Sequence, residues 1–163
     1  MEGEERLFFR VSFRIPLSLF AKNKLFNFLY SDIIEPVYDV IREAVNMNLR
    51  ECYEAAGADY DDVIRRFGKE ERVDKFLKMF LNDPTYDMLC RAMAEGSYEE
   101  AFRAAHTMKG ICMNFSLNGL LNACSRLTES LRSGSPDDNT EFLYEETKRN
   151  YLKTTAAIRE HLK

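Results

Sequence analysis

Turn formers are scarce in this chain: four prolines and seven glycines serve 163 residues. That scarcity argues against a sandwich or barrel of many short strands, which needs frequent Gly- and Pro-rich turns. Tryptophan is absent, so no indole reports on folding. No apolar run approaches the roughly 20 residues of a membrane-spanning helix. Positive charge is not in surplus either. The 23 basic residues are outnumbered by 27 acidic ones, for a formal charge of −4, whereas a general nucleic-acid binder would more often be basic. The opening Met1-Glu2-Gly3-Glu4-Glu5 is acidic where a signal peptide has a basic n-region. No secretion is expected, and a cytoplasmic location is. There is also no Walker-type glycine loop, kinase motif or acidic metal cluster. Any chemistry needing bound nucleotide or magnesium must borrow those parts from a partner, and no cofactor or metal is expected on the chain itself.

The four cysteines, Cys52, Cys90, Cys112 and Cys124, show no CxxC spacing, and each lies in an apolar or helical context. Buried reduced thiols fit this better than disulfides or metal ligands. A redox or metal-binding bundle that uses them is the weaker alternative. His161, without a ligand partner nearby in sequence, reads as a plain surface histidine.

What is present is helical. Hydrophobic residues make up 45% of the chain, enough for one core, and helix formers dominate. Asn48–Ala56 reads as a short helix closed by Gly57, and residues 59–67 as another closed by Gly68. Residues 69–82 carry Val73, Phe76, Leu77 and Phe80 on one face. Asp83-Pro84 opens a helix that runs to about Glu95. Ser97 with Glu100 fits a capping box, and the helix it starts runs to Phe115. Its apolar stripe is Tyr98, Ala101, Phe102, Ala105, Met108, Cys112 and Phe115. Leu117, Leu120, Leu121, Cys124, Leu127 and Leu131 mark the next helix, with Ser116 expected as its N-cap. After the loop 133–138, Leu143, Thr147, Tyr151, Thr154 and Ile158 mark a last helix over about 139–162. Short connections favour antiparallel neighbours. The expected fold is all-α, an antiparallel four-helix bundle with short accessory helices. Its core is expected from the four long helices after residue 69, with the shorter helix after Pro84, or its equivalent, left outside.

One stretch breaks the helical rule. In Ala105-His106-Thr107-Met108-Lys109-Gly110 a glycine sits deep in a strong helix, at a cost of about 1 kcal/mol relative to alanine. Lys109 and Gly110 are three and four residues after His106, the helical neighbours of that position. The imidazole has a cation on one side and no side chain on the other. At about 100° per residue, His106 falls at the margin of the apolar stripe, with Phe102 and Met113 flanking it towards the core and Arg103 towards solvent. A lone helix histidine is most often a boundary residue, and Gly110 has a second reading as a close helix–helix contact. A local rule, however, tends to be broken where function requires it.

Phe102 through Phe115, with His106, Thr107, Met108, Lys109, Gly110 and then Asn114 in order, resembles the signature helix of the histidine-phosphotransfer (HPt) domain of bacterial two-component phosphorelays. The resemblance runs from about Asn48 to about Leu162. Two positions depart from it. Ser116 stands where relatives often have glycine, and Met113 is bulkier than the small residues common there. The resemblance implies that His106 carries the phosphoryl group, Lys109 neutralises its oxygens and Gly110 keeps the ring accessible. Phe102, Arg103, Met113 and Asn114 would then border the docking surface.

The resemblance thus implies a phosphorelay intermediate. It would take a phosphoryl group from a receiver-domain aspartate, with a hybrid sensor histidine kinase as the source, and pass it to another response-regulator receiver. It would be a carrier and not an independent catalyst, and magnesium would sit on the receiver. The alternative is a helical protein-interaction module with the same fold and no phosphotransfer. A monomer with no nucleic-acid partner is expected. Residues 1–46 fall outside the resemblance and are expected to be an extension dispensable for phosphotransfer, with 47–163 the bundle domain. That extension reads equally as an accessory helix, a dimerisation arm or a partner-binding segment. Arg6, Arg10, Arg14, Lys22 and Lys24 are interleaved with aromatics, but without the clean polar face of a membrane anchor, so no stable membrane insertion is expected.

Overall fold

The computed structural model describes residues 47–163, which form seven α-helices and no strand. The expectation for residues 1–46 lies outside the described residues. The helices are α1 (Leu49–Ala56), α2 (Tyr60–Phe67), α3 (Glu70–Leu81), α4 (Thr85–Ala94), α5 (Tyr98–Asn114), α6 (Asn118–Ser130) and α7 (Thr140–His161).

Local chemistry sets most of their ends. Asn48 begins α1 with a reciprocal capping box: its Oδ1 accepts from the Glu51 amide at 2.9 Å, and Glu51 Oε2 accepts from the Asn48 amide at 3.0 Å. Asp59 caps α2 in the same sense by accepting from the Asp62 amide. Gly57 and Gly68 close these helices in the left-handed conformation that an L side chain avoids. Asp83 accepts from the Thr85 amide at 2.9 Å and so starts α4. The box expected at Ser97 does not form. Ser97 precedes α5 with ψ 71° and no side-chain cap bond, whereas Asn48 makes its bond with an extended ψ of 168°.

Four helices, α4 to α7, form an up-and-down antiparallel bundle, joined by short connections. The α6–α7 register is fixed by side-chain pairs: Ser130 bonds to Thr140, Arg126 pairs with Glu146 at 2.7 Å, and Gly119 lies against Asn150. The predicted apolar stripes supply the core. Ala101, Ala105, Met108 and Cys112 of α5 are buried with Leu120, Cys124 and Leu127 of α6 and Leu143, Thr147 and Ile158 of α7.

The role expected for α4 is corrected. It packs along α5 as closely as α6 does. The contact sets Leu89 among small residues, with buried Thr85 and Ala92 beside it on α4 and the Ala101, Ala104 and Ala105 side of α5 opposite. Small side chains let two backbones approach, yet they give a weak hydrophobic signal in sequence. The longer α3 flanks the bundle instead. Its rings reach inward, Phe80 to Tyr151 and Phe76 to Phe115, each at 5.9 Å between centroids. Helix α1 lies antiparallel along α7 and buries Leu49, Cys52, Tyr53 and Ala56.

The α1–α2 turn clamps the α5–α6 turn. The Asp59 amide donates to the Ser116 carbonyl, and the Gly119 amide donates to the Gly57 carbonyl, both at 2.9 Å. Ser116 itself is corrected: the residue before α6 is Leu117, and Ser116 sits in the turn at φ 55°. That left-handed value explains why glycine would suit the position. The serine is held there by its hydroxyl, which donates to Asp62 Oδ2 at 2.6 Å. Arg66 pairs with the same carboxylate at 2.7 Å and donates to the Met113 carbonyl at 3.3 Å, at the negative end of α5. The C-terminal end of α5 is therefore fixed from outside the bundle.

Candidate functional site

Helix α5 lies between α4 and α6, and the stripe it leaves uncovered carries the site. Ala101, Ala104, Ala105, Met108 and Cys112 are buried, while His106, Arg103, Thr107, Gly110, Met113 and Asn114 are exposed and Phe102 and Lys109 are half-buried. His106 is thus held by a helix whose core side is locked on both flanks. No described residue covers its ring on the outer side.

The Phe102 ring lies 6.0 Å from the imidazole, centroid to centroid, one turn earlier on the same helix. Gly110 lies one turn later. A Cβ built on Gly110 would meet no described atom within 4 Å. The second reading of that glycine, a close helix–helix contact, therefore finds no support among the described residues. Such a contact exists at Gly119 instead, where a Cβ would stand 3.3 Å from the Ala56 carbonyl oxygen and 3.4 Å from that of Gly57. The two helical glycines have opposite causes: one is packed against backbone and the other is open.

Met113 is corrected in position. It does not flank His106 towards the core but is 48% exposed, two turns further along the histidine's own face. Seven residues return a helix to nearly the same azimuth, so the uncovered stripe extends from Phe102 past His106 to Met113. Asn114 borders a shallow apolar hollow lined by Phe76, Phe80, Pro84, Ile111 and Phe115. Arg103 borders a second groove, between α4 and α5, with Met88 and Thr107.

The charges around the ring are arranged in pairs. Arg103 bonds to Glu99 on α5. Arg132, just past α6, pairs with Glu129. Lys109 forms no ion pair with another described residue and faces the α6 side. The Glu129 carboxyl is held below the usual carboxylate range, first by Arg132 and then by the charge of Lys109. Lys109 therefore lies within the field of a carboxylate on the neighbouring helix. Glu129 and Arg132 were not among the expected site residues. Both are polar positions at the end of a leucine-striped helix, with nothing in the sequence to say that they return to the histidine.

His161 is not a plain surface histidine. Its side chain is 12% exposed, its Nδ1 is 2.9 Å from the Met47 carbonyl and its Nε2 is 2.8 Å from Asp74 Oδ1. Both ring nitrogens are occupied in tying α7 to α3 and to the start of α1. The cysteines are free. Burial pushes the Cys52 thiol up to about 11, and the Cys112 thiol is raised well above its ordinary value by the adjacent Cys124 and by burial. Thiols so raised are inert at neutral pH. Among the described residues no group of His, Cys, Asp and Glu side chains is placed to hold a metal, and no helix is long and apolar enough to cross a membrane.

An antiparallel helical bundle that exposes one histidine beside a lysine on its central helix defines the class. The family model of the Hpt domain matches residues 76–162, just over half of the chain. The chain belongs to the Hpt-domain family. No curated protein and no solved structure matches it. The match begins in α3, later than the resemblance read from Asn48, although α1 is part of the same core. Members of this family are phosphocarrier modules of phosphorelay signalling that work with receiver domains and kinases. A phosphotransfer-type role in a phosphorelay follows for this chain.

Proposed function

We propose that His106 takes a phosphoryl group from the aspartyl phosphate of one receiver domain and passes it to the aspartate of another. A neutral ring nitrogen attacks phosphorus. The N–P bond forms as the acyl O–P bond breaks, and the carboxylate leaves. The second transfer is the reverse, with a new aspartate as nucleophile. Such transfers ask for in-line positioning and charge stabilisation. Lys109 supplies a cation, Gly110 leaves the approach open, and magnesium stays with the receiver. Phe102, Arg103, Met113 and Asn114 form the surface on which the receiver docks. The observation that carries the reading is the bare flank of His106: an exposed imidazole whose i+4 neighbour has no side chain, with no described atom within 4 Å of where one would begin.

The test is a relay in two stages. A phosphorylated receiver with magnesium is mixed with the wild-type chain and, separately, with the His106→Gln variant, and a second receiver is then added. Label should move onto the wild type and on to the second receiver, and should stop at the variant. Equal labelling of both proteins would remove His106 from the role. A folded wild type that binds receivers without taking label would make the chain an interaction module.

A further inference from the structure

Arg132 is a strong cation on the Phe102 side of the phosphoacceptor site, and it is already occupied. It meets Glu129 at two points, Nε to Oε2 and Nη2 to Oε1, each at 2.7 Å. A two-point pair fixes the plane of the guanidinium as well as its position. Its central carbon lies 6.0 Å from the centroid of the Phe102 ring, and that ring lies 6.0 Å from the imidazole of His106. The pair is exposed, with 62% of the Arg132 side chain and 55% of that of Glu129 open to solvent. An exposed pair is weak, so its arginine can change partners at little cost. Resting on the reading of His106 as phosphoacceptor, we propose that Glu129 is a positioning residue that holds Arg132 in reserve as a second phosphoryl-binding cation.

The electrostatics follow from charge. A phosphoryl group brings about −1.5 to −2 charges at neutral pH. Placed on His106, it repels Glu129 and attracts both Lys109 and Arg132. A guanidinium fork suits phosphoryl oxygens as well as it suits a carboxylate, so Arg132 exchanges one anion for another. Before loading, Glu129 cancels Arg132 and part of the Lys109 field. The phosphoryl group is therefore retained less tightly than two free cations would retain it, as a carrier that must hand its load on requires. Arg103 lines the same hollow as Phe102 and Arg132, but it meets Glu99 of its own helix at a single point and so lacks the two-point hold that fixes Arg132.

The experiment loads the full chain with phosphoramidate, which needs no partner. Its P–N bond breaks, ammonia leaves and the phosphoryl group bonds to the imidazole. The Nε–H resonance of Arg132 is followed by NMR, and the loaded chain is then equilibrated with a receiver domain and magnesium. Loading should shift the Arg132 resonance in the wild type. Glu129→Gln should raise the His106-bound share of phosphoryl by about two- to fivefold, the size of one unit charge removed at short range in high dielectric. Arg132→Ala should lower that share, Arg132→Lys should restore part of it, and Glu129→Gln should do less in the Arg132→Ala background. Added salt should shrink all of these differences. An unmoved Arg132 resonance, or a Glu129→Gln effect of equal size with and without Arg132, would overturn the proposal. A chain that shows the Arg132 shift but exchanges nothing with receivers would instead overturn the relay reading and leave this one standing.

Discussion

Replacing Gly110 by alanine separates the demands of the fold from those of the site. Gly110 lies inside α5, four residues before its end, in ordinary helical backbone. A methyl group there would meet no described atom within 4 Å, so no packing term among the described residues opposes the change. What remains is intrinsic propensity, a gain of up to about 1 kcal/mol, or about 2–4 °C in Tm for a chain of this size. The glycine therefore makes the helix weaker than it needs to be, as expected where activity and stability compete. Thermal and urea unfolding followed by circular dichroism would measure the gain. The second half of the experiment is Gly110→Gln, also a good helix former, whose longer side chain would stand beside His106. It should keep or raise stability yet slow phosphotransfer by about tenfold or more, since small displacements of a reacting group are costly. A destabilised Gly110→Ala would refute the claim that the site is open. Wild-type transfer by Gly110→Gln would refute the claim that the glycine is there for access.

Other outcomes follow from neighbouring contacts. Lys109→Ala should slow transfer roughly tenfold or more while changing stability by less than about 0.5 kcal/mol, read in paired transfer and unfolding assays. Gly119→Ala should destabilise by about 1–3 kcal/mol, because its Cβ would press on carbonyl oxygens at 3.3 and 3.4 Å that α1 and the clamp cannot easily withdraw; an unchanged Tm would mean that the clamp is loose. Asp62 should govern acid stability. Its carboxyl is held down to about 2 by the Ser116 hydroxyl first and then by Arg65. The folded state therefore binds fewer protons there than the unfolded state does, and stability should fall as pH drops from about 4 towards 2. In the Asp62→Asn variant, urea midpoints across that range should lose part of this slope.

The sequence was most legible where one face carries large apolar residues. The leucines of α6, the Val73–Phe80 face of α3 and the Leu143–Ile158 stripe of α7 all point inward as their spacing implies. It was least legible where contacts are small or non-local. Helix α4 enters the core through one leucine, Leu89, with an alanine and a threonine beside it, and a single large apolar residue carries little periodic signal. His161 finds Asp74 and Met47 far away in sequence. Ser116 has the composition of a helix cap, but the interlocked turns draw it into the left-handed region and give its hydroxyl to Asp62. Of the candidate site, the axial neighbours of His106 could be read from helical spacing alone, because residues one turn apart on the same helix meet regardless of the tertiary fold. Glu129 and Arg132 reach the site only through the antiparallel return of α6, which spacing along one helix does not encode.

The most direct test of the central claim is to locate the phosphoryl group. The full chain is labelled from a phosphorylated receiver and examined under non-acidic conditions by phosphorus NMR and peptide mass spectrometry. The account predicts one phosphohistidine, at His106, and none at His161, whose two ring nitrogens are already engaged. Phosphoryl on His161 or on any other residue, with His106 unmodified, would contradict it.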